Sequence, residues 1–310
     1  MAVYSAKNLD FGQIVKVKVN GSLVDAVYQD WHEEYDMAIV IYNGKRLYRK
    51  VYGTDGNFQG KTQGELHVKP SRFNINERFQ FISDLVDMVI SGESKALIVS
   101  GSGGLGKTYT VMDRVKAAKL EDVDDPRAED PQFQVIKGFT TPKSLYRLLY
   151  TNRERLTIFD DCDSVWDNPK SVSLLKAALD SYETRRLSWL SESMNMNEED
   201  DLPASFIYEG KIIFVSNLSL GDLDQAVLSR SLYVDVSMTP AEKIERIKTI
   251  SPAIHPEVPK SMKDESVELL AKFQDEIGDL NIRTFLKVLD IRKKNAPNWE
   301  RLAEYVITAL

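Results

Sequence analysis

The sequence predicts an α/β fold: a parallel sheet with helices on both faces around a phosphate-binding loop, a helical lid after it, and a small β-rich domain before it. Three observations carry this. Short apolar segments alternate with stretches of helical periodicity between residues 76 and 237, the pattern of successive βα units. A glycine-rich octet, residues 101–108, lies between the first of those segments and a helix. After Pro240 only helical patterns remain. The expected domains are 1–60 (β-rich), 61–75 (linker), 76–237 (α/β) and 238–310 (lid).

In chain order, Ile14-Val-Lys-Val-Lys-Val19 alternates apolar and basic residues, as a half-buried strand does. Asn20-Gly21 follows as a hairpin signal. Met37–Tyr42 reads as a second strand, Asn43-Gly44 as a second turn and Lys45–Tyr52 as a third strand, together a small sheet or barrel. Gly53–Pro70 is rich in Gly, Thr, Asn and Gln and reads as a connecting segment. Phe79, Ile82, Leu85, Val86 and Val89 then fall at helical spacing. Four buried strands are expected at Ala96–Val99, Phe133–Ile136, Leu156–Phe159 and Lys211–Val215. Helices are expected from Lys107, over Pro142–Tyr150 and over Ser171–Tyr182. The lid helices are placed at Ala241–Ile250, Lys263–Ile277, Ile282–Lys293 and Asn298–Ala309. Glu121–Pro131 and Ser191–Leu202 read as acidic solvated loops, the second a candidate insertion.

The 310 residues are 43% hydrophobic and 28% charged, enough apolar material for a core. The formal net charge of −7 argues against non-specific nucleic-acid binding, which needs clustered Lys and Arg, although it leaves room for a local basic patch. A single cysteine, Cys162, excludes an intramolecular disulfide and reads as a structural, inert thiol. No secretory signal opens the chain and no apolar stretch is long enough to cross a bilayer. A soluble cytoplasmic protein with no membrane partner is expected. His32, His67 and His255 are scattered and form no metal constellation.

The chemistry concentrates in two motifs. Gly101-Ser102-Gly103-Gly104-Leu105-Gly106-Lys107-Thr108 matches G-x-x-x-x-G-K-[ST] at every fixed position, with an apolar strand before it and a helix after it. Its glycines let backbone N–H groups turn onto phosphate oxygens. Lys107 would reach the β and γ phosphates, and the Thr108 hydroxyl would coordinate Mg2+. The second motif, Leu156-Thr-Ile-Phe-Asp160-Asp161, is an apolar strand ending in two carboxylates, at the sheet edge where such folds place ligands. Asp160 would hold the metal. Asp161 would polarise the attacking water, with Asp163 as competitor for that role. ATP and Mg2+ are the expected ligands, and hydrolysis of ATP the expected reaction.

With these motifs in place, residues 73–310 resemble the AAA+ ATPases. In that superfamily the second acid is more often Glu, so the shorter Asp161 must reach the water by another route. The resemblance implies that Asn217, ending Lys211-Ile-Ile-Phe-Val-Ser-Asn217, is sensor 1. It implies that Arg230, in Leu223-Asp-Gln-Ala-Val-Leu-Ser-Arg230, is a finger entering a neighbouring subunit's site, and that Arg283, in Leu280-Asn-Ile-Arg-Thr-Phe-Leu286, is sensor 2. The plainer alternatives are an Asn capping a turn, an Arg closing a helix C-terminus and a surface Arg. Phe159–Asp163, Leu174–Asp180 and Phe206–Gly210 resemble stretches of tailed-bacteriophage AAA+ proteins, which would place the chain in a host cytoplasm.

Phe139, in Ile136-Lys-Gly-Phe-Thr140, stands where AAA+ rings carry a pore-loop aromatic; the alternative is a Phe folded onto the core. Arg185–Leu202 lies where a second pore loop or inserted hairpin would sit, and Trp189 within it reads equally as core, interface or substrate contact. The resemblance implies a homo-oligomer, a hexamer, acting on a macromolecule. A protein partner is favoured over nucleic acid, because 191–202 carries no Lys or Arg and 137–143 only two lysines. The alternatives are a DNA-handling AAA+ ATPase, an ATP-dependent assembly or loader scaffold, and, less favoured, a small-molecule kinase. Residues 1–60 hold seven Lys or Arg and seven Asp or Glu, a neutral module in an acidic chain that reads as a docking unit.

Overall fold

The computed structural model describes residues 12–19, 22–32, 37–42, 44–49, 51–54, 71–190, 202–218, 220, 223–294 and 296–308. Outside them lie the expected Asn20-Gly21 turn, Asn43, most of the connecting segment before residue 71, and the acidic stretch Ser191–Leu202 except its last residue. The chain divides into two compact units, Met1–His67 and Val68–Leu310.

The first unit is an antiparallel sheet of five strands, β1 (Ile14–Val19), β2 (Ser22–His32), β3 (Met37–Tyr42), β4 (Lys45–Arg49) and β5 (Val51–Thr54), in the order β4-β3-β2-β1-β5. Val15, Val17, Ala26, Tyr28, Ala38 and Val40 are buried together on one face. Between the two buried valines Lys16 points outward and pairs with Asp25 opposite it, Nζ to Oδ1 2.9 Å. Two features differ from the sequence reading. β2 is not among the expected strands; Asp25, Gln29 and Asp30 interrupt its apolar pattern, although Ala26 and Tyr28 still reach the core. The single strand expected over 45–52 is two: β4 pairs with β3, and β5 crosses to pair with β1 at the opposite edge. No Gly or Pro in 45–52 marks that break.

The second unit runs α1 (Ile75–Ser91), β6 (Ala96–Ser100), α2 (Lys107–Ala117), β7 (Glu121–Asp122), β8 (Pro131–Lys137), α3 (Pro142–Thr151), β9 (Leu156–Asp160), α4 (Ser164–Asp167), α5 (Pro169–Ala178), β10 (Arg186–Ser188), β11 (Ser205–Ile207), β12 (Lys211–Val215), α6 (Gln225–Leu228), β13 (Leu232–Asp235), α7 (Pro240–Ile250), α8 (Lys260–Lys272), α9 (Ile282–Lys293) and α10 (Trp299–Thr308). Six strands form a parallel sheet in the order β13-β6-β12-β9-β8-β7. All four expected strands are in it; β7 and β13 complete its edges. β13 is only four residues long and follows a short helix, so no periodicity announces it.

The apolar runs are continuous because both faces of the sheet are covered. In β6, Leu97 and Val99 face one cluster, with α1, α2 and the C-terminal helices; Ala96 and Ile98 face the other, with α3 and α5. Ile213 and Val215 of β12 join the first, Ile212 and Phe214 the second. Each of these Val, Leu, Ile and Phe side chains contributes about 1.5–3 kcal/mol when fully buried. Ile247, Leu270, Phe285, Leu289, Ala303 and Ile307 of α7–α10 belong to the first cluster, so lid helices and sheet share one core. β10 and β11 form an antiparallel ribbon at the stretch where an insertion is expected. Trp189, beside it, packs against the second cluster near Tyr146.

Candidate functional site

β6 delivers the chain to the glycine loop and α2 carries it away. Gly101 takes φ 135°, and a Cβ there would lie 2.7 Å from the Val236 carbonyl carbon just past β13, so only glycine fits. Gly106 is the N-cap of α2 at φ 102° and offers that helix no side-chain cap. The first N–H groups of α2 thus open toward the loop, the arrangement that receives an anion. Lys107 is buried, 5% exposed. Its ammonium donates to the Gly101 carbonyl at 2.6 Å, to the Ser102 carbonyl at 2.8 Å and to Asn217 Oδ1 at 2.9 Å. Burial pulls its pKa down to about 8, opposed by the carboxylates of Asp161, Asp163, Asp160 and Asp235.

The acids follow from strand register. Asp160 ends β9 and pairs with Val215 on one side and Lys137 on the other. It is buried, and its Oδ1 accepts the Thr108 hydroxyl at 2.6 Å. Its Oδ2 faces Lys137 Nζ at 2.9 Å. The next residue, Asp161, is exposed and adopts φ 52°, a left-handed conformation uncommon for a side-chain-bearing residue and worth attention where chemistry is expected. Its N–H donates to the Val215 carbonyl at 3.0 Å, and its Oδ1 accepts from Asn217 Nδ2 at 2.9 Å. Asn217 therefore holds Lys107 with one end of its amide and Asp161 with the other. Asp163 is engaged elsewhere: Ser216 Oγ donates to it at 2.6 Å, and burial pushes its carboxyl up despite that bond.

The donor set fits Mg2+. A buried carboxylate and a hydroxyl, both hard oxygens, sit in contact at the mouth of an anion-receiving loop, the pattern of a cation held by one or two protein oxygens together with phosphates and water. Among the described residues no group of three or more His, Cys, Asp or Glu converges on a metal site.

Ile282 N–H donates to the Gly104 carbonyl at 3.0 Å, so the start of α9 docks directly on the glycine loop. Asn281 caps α9 by accepting from Arg283 N–H and Thr284 N–H. Arg283 itself is exposed in the first turn of that helix. Arg230 is exposed just after α6 and donates to the Ala226 carbonyl at 2.7 Å, folded onto its own helix end. No hydrogen bond or ion pair among the described residues ties Arg230 or Arg283 to the Lys107–Asp161 cluster. Phe139 is 80% exposed, following Gly138 at φ 88°; it is not folded onto the core. Cys162 is buried and burial raises its thiol, as an inert cysteine requires.

Sequence reasoning misses four neighbours. Lys137 reaches Asp160 through ladder register, which single-strand patterns do not encode. Ser216 and Asn281 are polar residues at element ends with no motif of their own. Arg246 of α7 stacks on Phe79 at 3.7 Å and donates to Asn76 Oδ1 at 3.3 Å, bringing its guanidinium beside Gly106; it reads in sequence as an ordinary helix cation.

No family model matches the chain. It is 27% identical over 280 residues to a protein of Enterobacteria phage T4 described as an uncharacterized 36.7 kDa protein in the nrdC-mobD intergenic region, covering 84% of this chain and 83% of that one. Among solved structures it is similar to the Aeropyrum pernix ORC1 protein in complex with DNA, at 13% identity and a TM-score of 0.42, over 77% of this chain and 66% of that one, just under two thirds of its length. A phage-encoded relative of matching extent agrees with the phage side of the sequence resemblance.

Proposed function

We propose that this chain is a P-loop ATPase of the AAA+ kind, hydrolysing ATP in a closed ring of identical subunits to drive work on a macromolecule. The observation that carries the reading is the Asn217 bridge: one amide joins the phosphate-loop lysine to the carboxylate beside the metal acid. Three segments far apart in sequence converge on one sheet edge with the groups that phosphoryl transfer to water needs.

In this reading the loop N–H groups and Lys107 hold the phosphates. Thr108 and Asp160 would hold Mg2+, whose chemistry there would be charge neutralisation for the phosphates. Asp161 accepts hydrogen-bonded water and orients it toward the terminal phosphate, and Asn217 holds Asp161 in place. Arg283 approaches from the lid. Arg230 completes the neighbouring subunit's site, since a guanidinium is always charged and spans two oxygens. Residues 1–60 serve as a docking unit, 61–75 as linker, 76–237 as the ATPase domain and 238–310 as lid. Phe139 presents an exposed aromatic for the ring's substrate. Nothing in the structure or the comparisons supports the preference for protein over nucleic acid as that substrate. Among the described residues no helix is long and apolar enough to cross a membrane.

Lys107→Ala should abolish nucleotide binding, measured by fluorescent-ATP titration. Asp161→Asn should bind ATP normally and hydrolyse it roughly 10²–10³ more slowly, the usual cost of one transition-state contact. Wild-type turnover in Asp161→Asn would move the base to Asp163. Stimulation of turnover by single-stranded DNA, duplex DNA or an unfolded protein then identifies the substrate class; a DNA effect should weaken steeply with salt.

A further inference from the structure

Lys137 closes β8 in register with Asp160 on β9. Residues paired across a parallel ladder present their side chains on the same face of the sheet. Here that puts an ammonium against the carboxylate assigned to the metal: Nζ to Oδ2 is 2.9 Å, with the lysine side chain 68% exposed and the aspartate side chain 5% exposed. The other oxygen of the same carboxylate takes the Thr108 hydroxyl. Both oxygens of Asp160 are thus engaged, one by the group expected to share a metal with it and one by a competing cation.

A divalent cation bound to Asp160 would stand within a few ångströms of that ammonium, and like charges at such separation repel. The lysine has somewhere to go. Its stem is flexible, most of its surface already faces water, and Gly138 follows at φ 88° in open space, with nothing within 4 Å of a Cβ built there. The aspartate is buried at the end of a central strand, so the exposed lysine is the partner with room to leave.

We infer that Lys137 and a divalent cation compete for the Asp160 carboxylate, so that Lys137 sets the metal concentration at which the site loads. This rests on the reading of Asp160 and Thr108 as the metal-holding pair. It also links the site to the loop bearing Phe139, because whatever draws that loop away from the sheet edge lifts the competing charge off the carboxylate.

The test is direct Mn2+ binding, followed by the electron paramagnetic resonance of free Mn2+, in the presence of a non-hydrolysable ATP analogue. Lys137→Met should bind Mn2+ roughly two- to fivefold more tightly than wild type, the scale of a partly exposed ion pair. Lys137→Arg should stay near the wild-type value. Circular-dichroism melts of all three proteins verify folding, which the exposure of Lys137 should leave intact. Equal Mn2+ affinity in wild type and Lys137→Met, or weaker binding in the variant, would overturn the inference while leaving the ATPase reading standing. A folded wild type with no nucleotide-dependent Mn2+ site would remove the ATPase reading, and this inference with it.

Discussion

Asn217 is a single side chain with two obligations: its carbonyl receives the Lys107 ammonium and its amide nitrogen donates to Asp161. Both partners carry charge, and bonds to charged groups contribute more than neutral ones, about 1.5–3 kcal/mol each. Asn217→Ala should therefore leave ATP affinity within a few-fold of wild type, because Lys107 keeps its two loop carbonyls. Its hydrolysis should fall, by no more than the roughly 10²–10³ expected when Asp161 itself is disabled, because Asn217 acts through that carboxylate. Single-turnover hydrolysis beside equilibrium ATP binding separates the two effects; a variant defective in binding alone would return Asn217 to a turn-capping role. At this scale the octet 101–108 and Asp160 are readable from sequence because each belongs to a contiguous motif with its own flanking strand. The Asn217 bridge, the Lys137 contact and the left-handed backbone at Asp161 are not readable, since all three depend on which strands become neighbours.

Among elements, reading succeeds where the apolar run is long and fails where an element is short or polar. β6, β9 and β12 stand out because two covered faces demand uninterrupted apolar residues. β7, β13 and the β10–β11 ribbon have two to four residues each and depend on tertiary pairing for their existence. The expected helix over 171–182 ends at Ala178, where Leu179 closes it outside helical geometry. The junction of α9 with the glycine loop gives a sharper test. Gly104 sits at φ 72°, and a Cβ there would lie 3.1 Å from Asn281 Cβ and Cγ. Gly104→Ala should cost about 1–3 kcal/mol, the range for a strained non-glycine backbone, and should loosen ATP binding by shifting the α9 cap. Phe139→Ala, by contrast, removes an exposed side chain and should change stability by no more than about 0.5 kcal/mol. Thermal melts of the two variants side by side check both numbers; a Phe139→Ala protein that melts early would point to a structural role for that ring.

For the whole molecule, the question is whether one chain contains a complete site. The phosphate loop, both acids and Asn217 converge within the second unit, whereas Arg230 lies exposed and bonded to its own helix at Ala226. An exposed guanidinium held by one carbonyl is easily redirected, because the bond it gives up is replaced by water or by a stronger charged acceptor. If Arg230 serves a neighbour, each interface joins the loop face of one subunit to the finger face of the next, a heterologous contact that closes into a ring. Arg230→Ala subunits keep an intact loop, and Lys107→Ala subunits keep an intact finger. Each variant alone should be nearly inactive. Mixed, some interfaces pair an intact loop with an intact finger, so ATPase activity should reappear and pass through a maximum as the mixing ratio varies. Size-exclusion chromatography with light scattering establishes co-assembly under the same conditions. Activity that stays flat at every ratio in a confirmed mixed assembly would confine Arg230 to its own chain, as the cap of α6 that its bond to Ala226 already makes it.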